Sequence, residues 1–166
     1  SYINKTSNKH TSISITDRNQ VITTKLLNQY PQWNNDKNIT LYNQSFIELI
    51  KENQFSDKTK NIIYLSPESS NVLKKVKDDD IYVVGAIADR TVEKNLSLNR
   101  AIDSNVIHAR LPLKEYIPNG LLKYALNIET VVKILCDLVA HKTYLQNDQL
   151  WSNILNKHIP SRYINR

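Results

Sequence analysis

Residues 81–90 read IYVVGAIADR, an apolar strand pattern that runs directly into a glycine and is followed four residues later by an acid, Asp89. The chain has only two glycines, Gly85 and Gly120, so a glycine at the end of a strand indicates a backbone requirement. That requirement is either a positive φ or the close approach of the main chain to a ligand. Ligands of parallel α/β sheets bind outside the carboxyl ends of the strands, where an acid can take part in proton chemistry. The alternative is that Gly85 only ends a strand and Asp89 only solvates a loop.

Strand and helix patterns alternate along the chain. Strand patterns lie at residues 12–15, 39–42, 62–65, 81–84 and 106–111. Helix patterns lie at residues 21–30 after an Asp17 cap, at 46–50, at 66–76 with Ser66 as N-cap and Pro67 at the first helical position, at 97–101, after an Asn127 cap, and at 149–156 before Pro160. The alternation predicts an α/β fold with a mostly parallel sheet covered by helices on both faces.

Composition narrows the class of protein. The 166 residues fit one domain, and the net charge of +6 with a pI near 9.3 favours a polyanionic partner such as nucleic acid. A single cysteine, Cys136, excludes an internal disulfide and is predicted to be a buried, inert thiol. No apolar run reaches the roughly 20 residues that span a bilayer. The chain begins at Ser1 and contains no Met, so we expect a piece of a longer chain from which a targeting segment could have been removed.

Familiar catalytic motifs do not stand out. The sequence lacks G-x-G-x-x-G and a P-loop, and no Ser-His-Asp or Cys-His pairing is evident. The acids at 78–80 are followed by no oxygen-ligand spacing and are predicted to form a solvated turn, so no metal is expected. His108 lies in a strand without ligand partners and is predicted to be structural. The residues alone therefore indicate a basic α/β domain with a candidate site around Gly85 and Asp89, without naming a reaction.

Four segments in order resemble the SPOUT-class tRNA methyltransferases that modify N1 of the purine at position 9. They are IYLSPESSNV at 63–72, IYVVGAIAD at 81–89, LSLNRA at 96–101 and ARLPLKEY at 109–116, and the helix start at Leu126–Asn127 and IPSR at 159–162 also fit. The resemblance implies a SPOUT-type α/β fold with a C-terminal trefoil knot and S-adenosylmethionine as cofactor. It implies one methyltransferase domain over 1–166 that lacks the family's N-terminal strand and helix and its RNA-binding extension.

The same resemblance assigns roles to individual residues. The cofactor contacts, mostly through the main chain, fall at Leu65, Ser66, Gly85, Asp89, Ala101, Leu111, Leu113, Leu126, Asn127 and Ile128. Asp89 matches the acid thought to act as general base, because guanine N1 is a poor nucleophile until its proton leaves. Contacts to RNA fall at Arg90, Lys94, Arg110 and Arg162, and surface solvation is an equally good interpretation of the first three.

Three short stretches resemble the mitochondrial branch of this family: residues 79–82, residues 96–98, and Asn105–Val106, where most relatives have Gly before an apolar residue. That branch implies a monomeric subunit of protein-only ribonuclease P in the mitochondrial matrix. It would work with precursor tRNA, a short-chain dehydrogenase-like subunit and a separate nuclease. The alternatives are a nuclear or cytosolic tRNA guanine-9 methyltransferase, a non-catalytic tRNA-binding scaffold of the same fold, and a nucleotide-binding α/β module with another ligand.

Overall fold

The structure, a computed structural model, describes residues 12–16, 39–52, 61–85, 95–117, 126–141 and 146–160. The chain divides into two compact units, residues 1–57 and residues 58–166, and each is described by itself. The helix predicted over 21–30 lies outside the described residues. The prediction of a single methyltransferase domain over 1–166 stays a prediction.

The described residues of the first unit form two short strands and a helix: β1 (Ile13–Ile15), β2 (Ile39–Leu41) and α1 (Phe46–Lys51). The strands pair in parallel. The helix begins with a capping box, because the Ser45 hydroxyl accepts from the Glu48 N–H (3.1 Å) while the Glu48 carboxylate accepts from the Ser45 N–H (2.7 Å). These hydrogen bonds lower the pKa of Glu48. All three elements confirm the sequence prediction.

The second unit is organised around a parallel sheet of three strands: β3 (Ile62–Leu65), β4 (Ile81–Val84) and β5 (Ile107–Ala109). The spatial order is β4–β3–β5, so the most buried strand, β3, lies in the centre. Leu65 is opposite Val84 on one side and Ala109 on the other. All three strands therefore end at one edge of the sheet, and the predicted parallel α/β arrangement is confirmed.

The described part of this unit also contains four helices: α2 (Leu96–Asp103), α3 (Leu113–Tyr116), α4 (Ile128–Ala140) and α5 (Asp148–His158). Asn127 caps α4 as predicted, since its side-chain oxygen accepts from the Thr130 N–H at 2.8 Å. The α2 helix begins one residue earlier than predicted, after Asn95, which has a φ of 67°. The α3 turn lies where the sequence predicted no helix. Among the described residues, no helix combines the length and the apolar character needed to cross a membrane.

The core of the second unit lies between the sheet and the α4–α5 pair. Its buried members are Ile63, Leu65, Leu73, Val76, Ala109, Leu111, Ile117, Val131, Ile134, Leu135, Leu138, Trp151, Ile154, Leu155 and Ile159. At the rim of the two helices the Asp137 carboxylate accepts from Lys157 and pairs with His158, each at 2.7 Å. Burial raises the pKa of Asp137, but the hydrogen bonds to Lys157 and His158 outweigh it and leave the pKa lowered. Cys136 is half-buried rather than fully buried, and burial raises the pKa of its thiol.

The helix predicted over residues 66–76 is wrong. Residues 66–71 form turns and bends, Val72 makes a parallel bridge with Arg110, and residues 73–77 are irregular. The Ser66 hydroxyl donates to Glu68 (2.7 Å) and does not cap a helix. The Leu73 N–H donates to the carbonyl of Arg110, the residue after β5 (2.8 Å), so part of the main chain of this segment bonds to the β5 exit and not to a helical turn. Leu73 and Val76, two of the apolar residues that suggested a helix, are buried from this irregular segment.

Two side chains that are distant in the sequence, Gln146 and Trp151, also hold that segment. The buried Gln146 amide accepts from the Val76 N–H (2.7 Å) and donates to the Val76 carbonyl (2.7 Å) and the Leu138 carbonyl (2.9 Å). Trp151 Nε1 donates to the Lys74 carbonyl at 2.9 Å. The crossover from β3 to β4 is therefore fixed by side chains far away in the sequence, which local propensity does not reveal.

Candidate active site

Three chain segments leave the sheet at the same edge, and several of the predicted site residues lie on them. Ser66 follows β3, Gly85 follows β4, and Arg110 and Leu111 follow β5. The register places the last residues of the three strands side by side. A crevice outside the carboxyl ends of parallel strands is where α/β proteins bind ligands.

Gly85 is held by close packing and not by an unusual backbone. Its φ is not positive, so the first of the two backbone requirements considered for it is wrong. A Cβ added to Gly85 would lie 3.3 Å from Ser97 Oγ and 3.4 Å from the Tyr64 hydroxyl. The absence of a side chain therefore lets α2 and the buried Tyr64 ring approach the end of β4.

The segment after β3 is fixed on β5. The Ser66 N–H donates to the Ala109 carbonyl (3.0 Å), and the Arg110 N–H donates to the Asn71 carbonyl (2.8 Å). Inside the turn, Ser69 Oγ lies 2.9 Å from His108 Nδ1, and Asn71 Nδ2 donates to the His108 carbonyl at 3.2 Å. Both serines are almost completely buried, Ser66 at 1% and Ser69 at 3% exposure. The prediction of a structural His108 is therefore confirmed, with Ser69 as its partner.

The segment after β5 contains a strong ion pair. Arg110 donates to both carboxylate oxygens of Glu115, at 2.9 and 2.7 Å, and only 16% of the Arg110 side chain is exposed. The bond to Arg110 lowers the pKa of Glu115, and the bond to Glu115 raises the pKa of Arg110. Leu111 is buried, and Leu113 N–H donates to the Leu111 carbonyl (2.8 Å), so this segment turns tightly into α3.

The remaining predicted residues divide into three groups. At the start of α4, Leu126 is partly buried against the core, whereas Asn127 and Ile128 are exposed, Ile128 at 44%. Ala101 on α2 is completely buried, and its carbonyl accepts from the Val106 N–H at 3.1 Å, so its side chain is part of the packing. The others lie outside the described residues: Asp89, Arg90, Lys94 and Arg162.

Sequence reasoning missed several residues that shape this edge of the sheet. Tyr64 and Ser97 contact the position of the missing Gly85 side chain, and Ser69 and Asn71 fasten the turn after β3 to β5. The run of small polar residues between a buried strand and Val72 was the available signal, because such side chains bond to nearby main chain and compete with helix formation.

A separate cleft of about 550 Å³ is lined by residues 72–75, Pro112, Glu115, Tyr116, Gln146, Asp148 and Trp151. None of the predicted cofactor contacts lines it. The Tyr116 hydroxyl donates to Asp148 at its edge (2.7 Å). Within the described part of the chain, no group of three or more His, Cys, Asp or Glu residues is arranged to hold a metal ion.

The sequence profile described as tRNA (guanine(9)-N(1))-methyltransferase TRM10/TRM10A matches residues 1–164. The chain belongs to this family. A crystal structure of full-length spTrm10 in complex with SAH has a TM-score of 0.66 and 27% identity to this chain, covering 90% of it and 72% of the spTrm10 chain. The SPOUT-type α/β fold expected from the sequence is therefore confirmed.

Individual sequences of the TRM10 family resemble this chain over parts of their length. The tRNA (guanine(9)-N1)-methyltransferase of Schizosaccharomyces pombe is 35% identical over 86 residues, which are 52% of this chain and 27% of that protein. The enzyme of the same name from Candida albicans is 31% identical over 107 residues, 64% of this chain and 31% of that protein. The chain thus spans less than a third of the length of these two relatives.

Proposed function

We propose that this chain binds S-adenosylmethionine and transfers its methyl group to N1 of guanine 9 in tRNA. The observation that carries the proposal is the match of the TRM10 family to residues 1–164, within which the predicted cofactor residues Ser66, Gly85 and Leu111 leave neighbouring parallel strands at one edge. Support also comes from the similar spTrm10 chain, whose crystal structure is a complex with SAH.

The residues present fit such a cofactor. Gly85 directly follows β4, so its main chain lies at the edge where Ser66 and Leu111 follow the neighbouring strands. The start of α4 offers free N–H groups beside the exposed apolar side chain of Ile128. The residues that would hold the cofactor are Leu65, Ser66, Gly85, Leu111, Leu113, Leu126, Asn127 and Ile128, with the buried Ala101 supporting them through packing. Bound S-adenosylmethionine supplies an electrophilic methyl group on a sulfonium.

The protein's own part in the reaction is to remove a proton. Guanine N1 carries a hydrogen, and a carboxylate within hydrogen-bond reach of that nitrogen can accept it as the methyl group arrives. Asp89 follows Gly85 by four residues and is the acid that the family resemblance assigns to this role. Its negative charge would also favour the positively charged cofactor by simple attraction.

The Asp89→Asn variant tests this assignment. We expect methyl transfer to fall by at least 100-fold, roughly the lower range of a general base's contribution, while the affinities for tRNA and for S-adenosylhomocysteine stay within about threefold. Transfer is measured with labelled S-adenosylmethionine and a tRNA transcript, with a transcript carrying a pyrimidine at position 9 as substrate control. Asp103→Asn, at an exposed acid near the end of α2, is the matched protein control.

If the Asp89→Asn variant methylates tRNA at the wild-type rate, Asp89 is not the general base. A wild-type chain that binds tRNA and never methylates would favour the non-catalytic scaffold. A chain that ignores S-adenosylhomocysteine but is stabilised by another nucleotide in a thermal-shift panel would favour the nucleotide-binding module.

The narrower proposal is a subunit of mitochondrial ribonuclease P located in the matrix, with the nuclear or cytosolic enzyme as its alternative. It rests on sequence segments that resemble the mitochondrial branch. Two residues in these segments also have local roles: Asp80 accepts from the Asn61 N–H and side-chain amide (3.2 and 2.8 Å), and Asn105 adopts a φ of 52°, a conformation that Asn and Gly share. Affinity purification of the tagged full-length protein from isolated mitochondria tests the proposal. Recovery of a short-chain dehydrogenase-like subunit with a nuclease supports it, and a tagged protein found only in nucleus or cytosol contradicts it.

A further inference from the structure

We propose that His108 is a positioning residue that fixes the turn after β3, residues 66–71, in the geometry that binds the cofactor. This inference rests on the proposed function and assigns a task to a histidine that the sequence marked only as structural. The turn is attached to β5 at both ends by main-chain hydrogen bonds, from Ser66 to Ala109 and from Arg110 to Asn71. His108 supplies the attachment between these two points.

The attachment has a side-chain half and a main-chain half. Ser69 Oγ lies 2.9 Å from His108 Nδ1, and the Asn71 amide donates to the His108 carbonyl at 3.2 Å. The Ser69 hydroxyl also accepts from the Asn71 N–H at 3.0 Å. With its ring proton on Nε2, His108 accepts from the Ser69 hydroxyl, which thereby orients both the turn and Asn71.

Burial makes the side-chain half important. Ser69 is 3% exposed, so water does not replace the imidazole nitrogen as a partner, and the acceptor that remains for its hydroxyl is the Asn71 carbonyl, at a longer distance of 3.3 Å. That carbonyl belongs to the turn itself, so without the imidazole the Ser69 side chain no longer attaches the turn to β5, and the turn shifts. Its first residue, Ser66, shifts with it, and Leu65 and Ser66 are two of the predicted cofactor contacts.

The location of His108 connects two of the strand exits that form the site. It pairs in register with Tyr64, directly before Leu65, and it precedes the β5 exit at Arg110 and Leu111. A hydrogen bond from this position therefore sets the β3 exit relative to the β5 exit. The expected consequence of losing it is weaker cofactor binding, with tRNA binding preserved.

A matched set of variants of the whole chain tests the proposal. His108→Asn keeps a polar atom at the position of Nδ1, one bond from Cγ, whereas His108→Phe keeps a ring and removes that atom. Ser69→Ala removes the other partner. The control His158→Phe removes a histidine that pairs with Asp137 between α4 and α5. Calorimetric titration with S-adenosylhomocysteine gives the dissociation constant, and a filter-binding assay gives that for tRNA.

We expect His108→Phe and Ser69→Ala each to weaken S-adenosylhomocysteine binding by about tenfold, the equivalent of one hydrogen bond, with tRNA affinity within about twofold. His108→Asn should stay within about threefold of the wild type, and His158→Phe should leave the dissociation constant unchanged. In the double variant the two losses should not add, because both remove the same bond.

The proposal is overturned if both single variants bind S-adenosylhomocysteine like the wild type, if Asn rescues no better than Phe, or if the losses add. If His108→Phe does not fold, the affinities of Ser69→Ala and His108→Asn for S-adenosylhomocysteine are compared instead. Weaker binding by Ser69→Ala than by His108→Asn supports the proposal, and equal affinities overturn it. Wild-type protein that binds no S-adenosylhomocysteine would overturn the proposed function and this inference together. Wild-type binding with unaffected variants would overturn this inference alone.

Discussion

Replacing Gly85 with valine tests whether close packing is the reason for glycine at the end of β4. The valine Cβ would lie 3.3 Å from Ser97 Oγ and 3.4 Å from the Tyr64 hydroxyl, closer than most Cβ contacts, and its two methyl groups need further space. Forcing extra methyl groups into a packed site costs roughly 1–3 kcal/mol. Because the φ of Gly85 is not positive, no backbone strain is added, and reduced freedom of the unfolded chain returns about 0.4–1 kcal/mol. The expected net loss in the free energy of unfolding is about 1–2 kcal/mol.

Urea denaturation followed by circular dichroism measures that loss, and calorimetry measures the affinity for S-adenosylhomocysteine. If Gly85 also borders the cofactor, we expect the affinity for S-adenosylhomocysteine to fall by about tenfold or more, because a loss of about 1.4 kcal/mol in binding free energy corresponds to a factor of ten. Gly85→Ala is the control, because one Cβ against the ends of two side chains can be accommodated by shifts of a few tenths of an ångström. Its loss should stay below about 1 kcal/mol.

A second-site change identifies the side chain against which the valine packs. Removing the Ser97 hydroxyl by Ser97→Ala relieves the shorter of the two contacts, so Gly85→Val combined with Ser97→Ala should recover part of the lost stability. Wild-type stability and wild-type affinity in Gly85→Val would refute the packing argument. No recovery in the double variant would show that Ser97 is not the group that the valine meets.

Two further predictions concern stability. Gln146→Leu removes the four main-chain hydrogen bonds of a buried amide, which join it to Val76, Leu138 and His141, and leaves the Val76 N–H unpaired. We expect the free energy of unfolding, measured by urea denaturation, to fall by about 2–4 kcal/mol; unchanged stability would mean that water replaces the amide. Burial is the main cause that raises the pKa of Tyr82 to about 12, although the hydrogen bond that its hydroxyl accepts from the Lys77 N–H acts to lower it. The contribution of Tyr82 to stability is therefore complete below its unfolded pKa near 10 and is lost as the pH rises toward 12. Tyr82→Phe should flatten the fall in stability between these pH values, leaving the part due to Tyr116, whose pKa is also raised to about 12; an unaltered alkaline slope would contradict the assignment.

The parallel sheet followed from sequence because its signals are local. Residues 62–65 and 81–84 are short apolar runs bounded by polar residues, and Asn127 stands directly before a helical apolar stripe that it caps. Each element is encoded within a few residues. The common edge of the three strands, where the candidate site lies, then follows from the alternation of strands and helices.

The segment after β3 did not follow from sequence for a physical reason. Ser66 and Pro67 are good residues for a helix start, and the spacing of Val72, Leu73 and Val76 suits a helical face. The partners that outweigh these local preferences are Gln146 and residues of β5, many positions away along the chain. A single sequence contains no local signal for such partners, and the same holds for the hydrogen bond between Ser69 and His108.

Arg110 shows why a basic residue beside a site is weak evidence for a phosphate contact. Its guanidinium donates to both oxygens of Glu115, and only 16% of the side chain is exposed. To contact Arg110, a phosphate would have to displace the Glu115 carboxylate from its two hydrogen bonds, and the negative charge of Glu115 would repel the approaching phosphate. An RNA phosphate would therefore compete with Glu115 for the Arg110 guanidinium. The same bond ties the β5 exit to the start of α3, so Arg110 orients the segment that carries Leu111 and Leu113 whatever the location of the RNA.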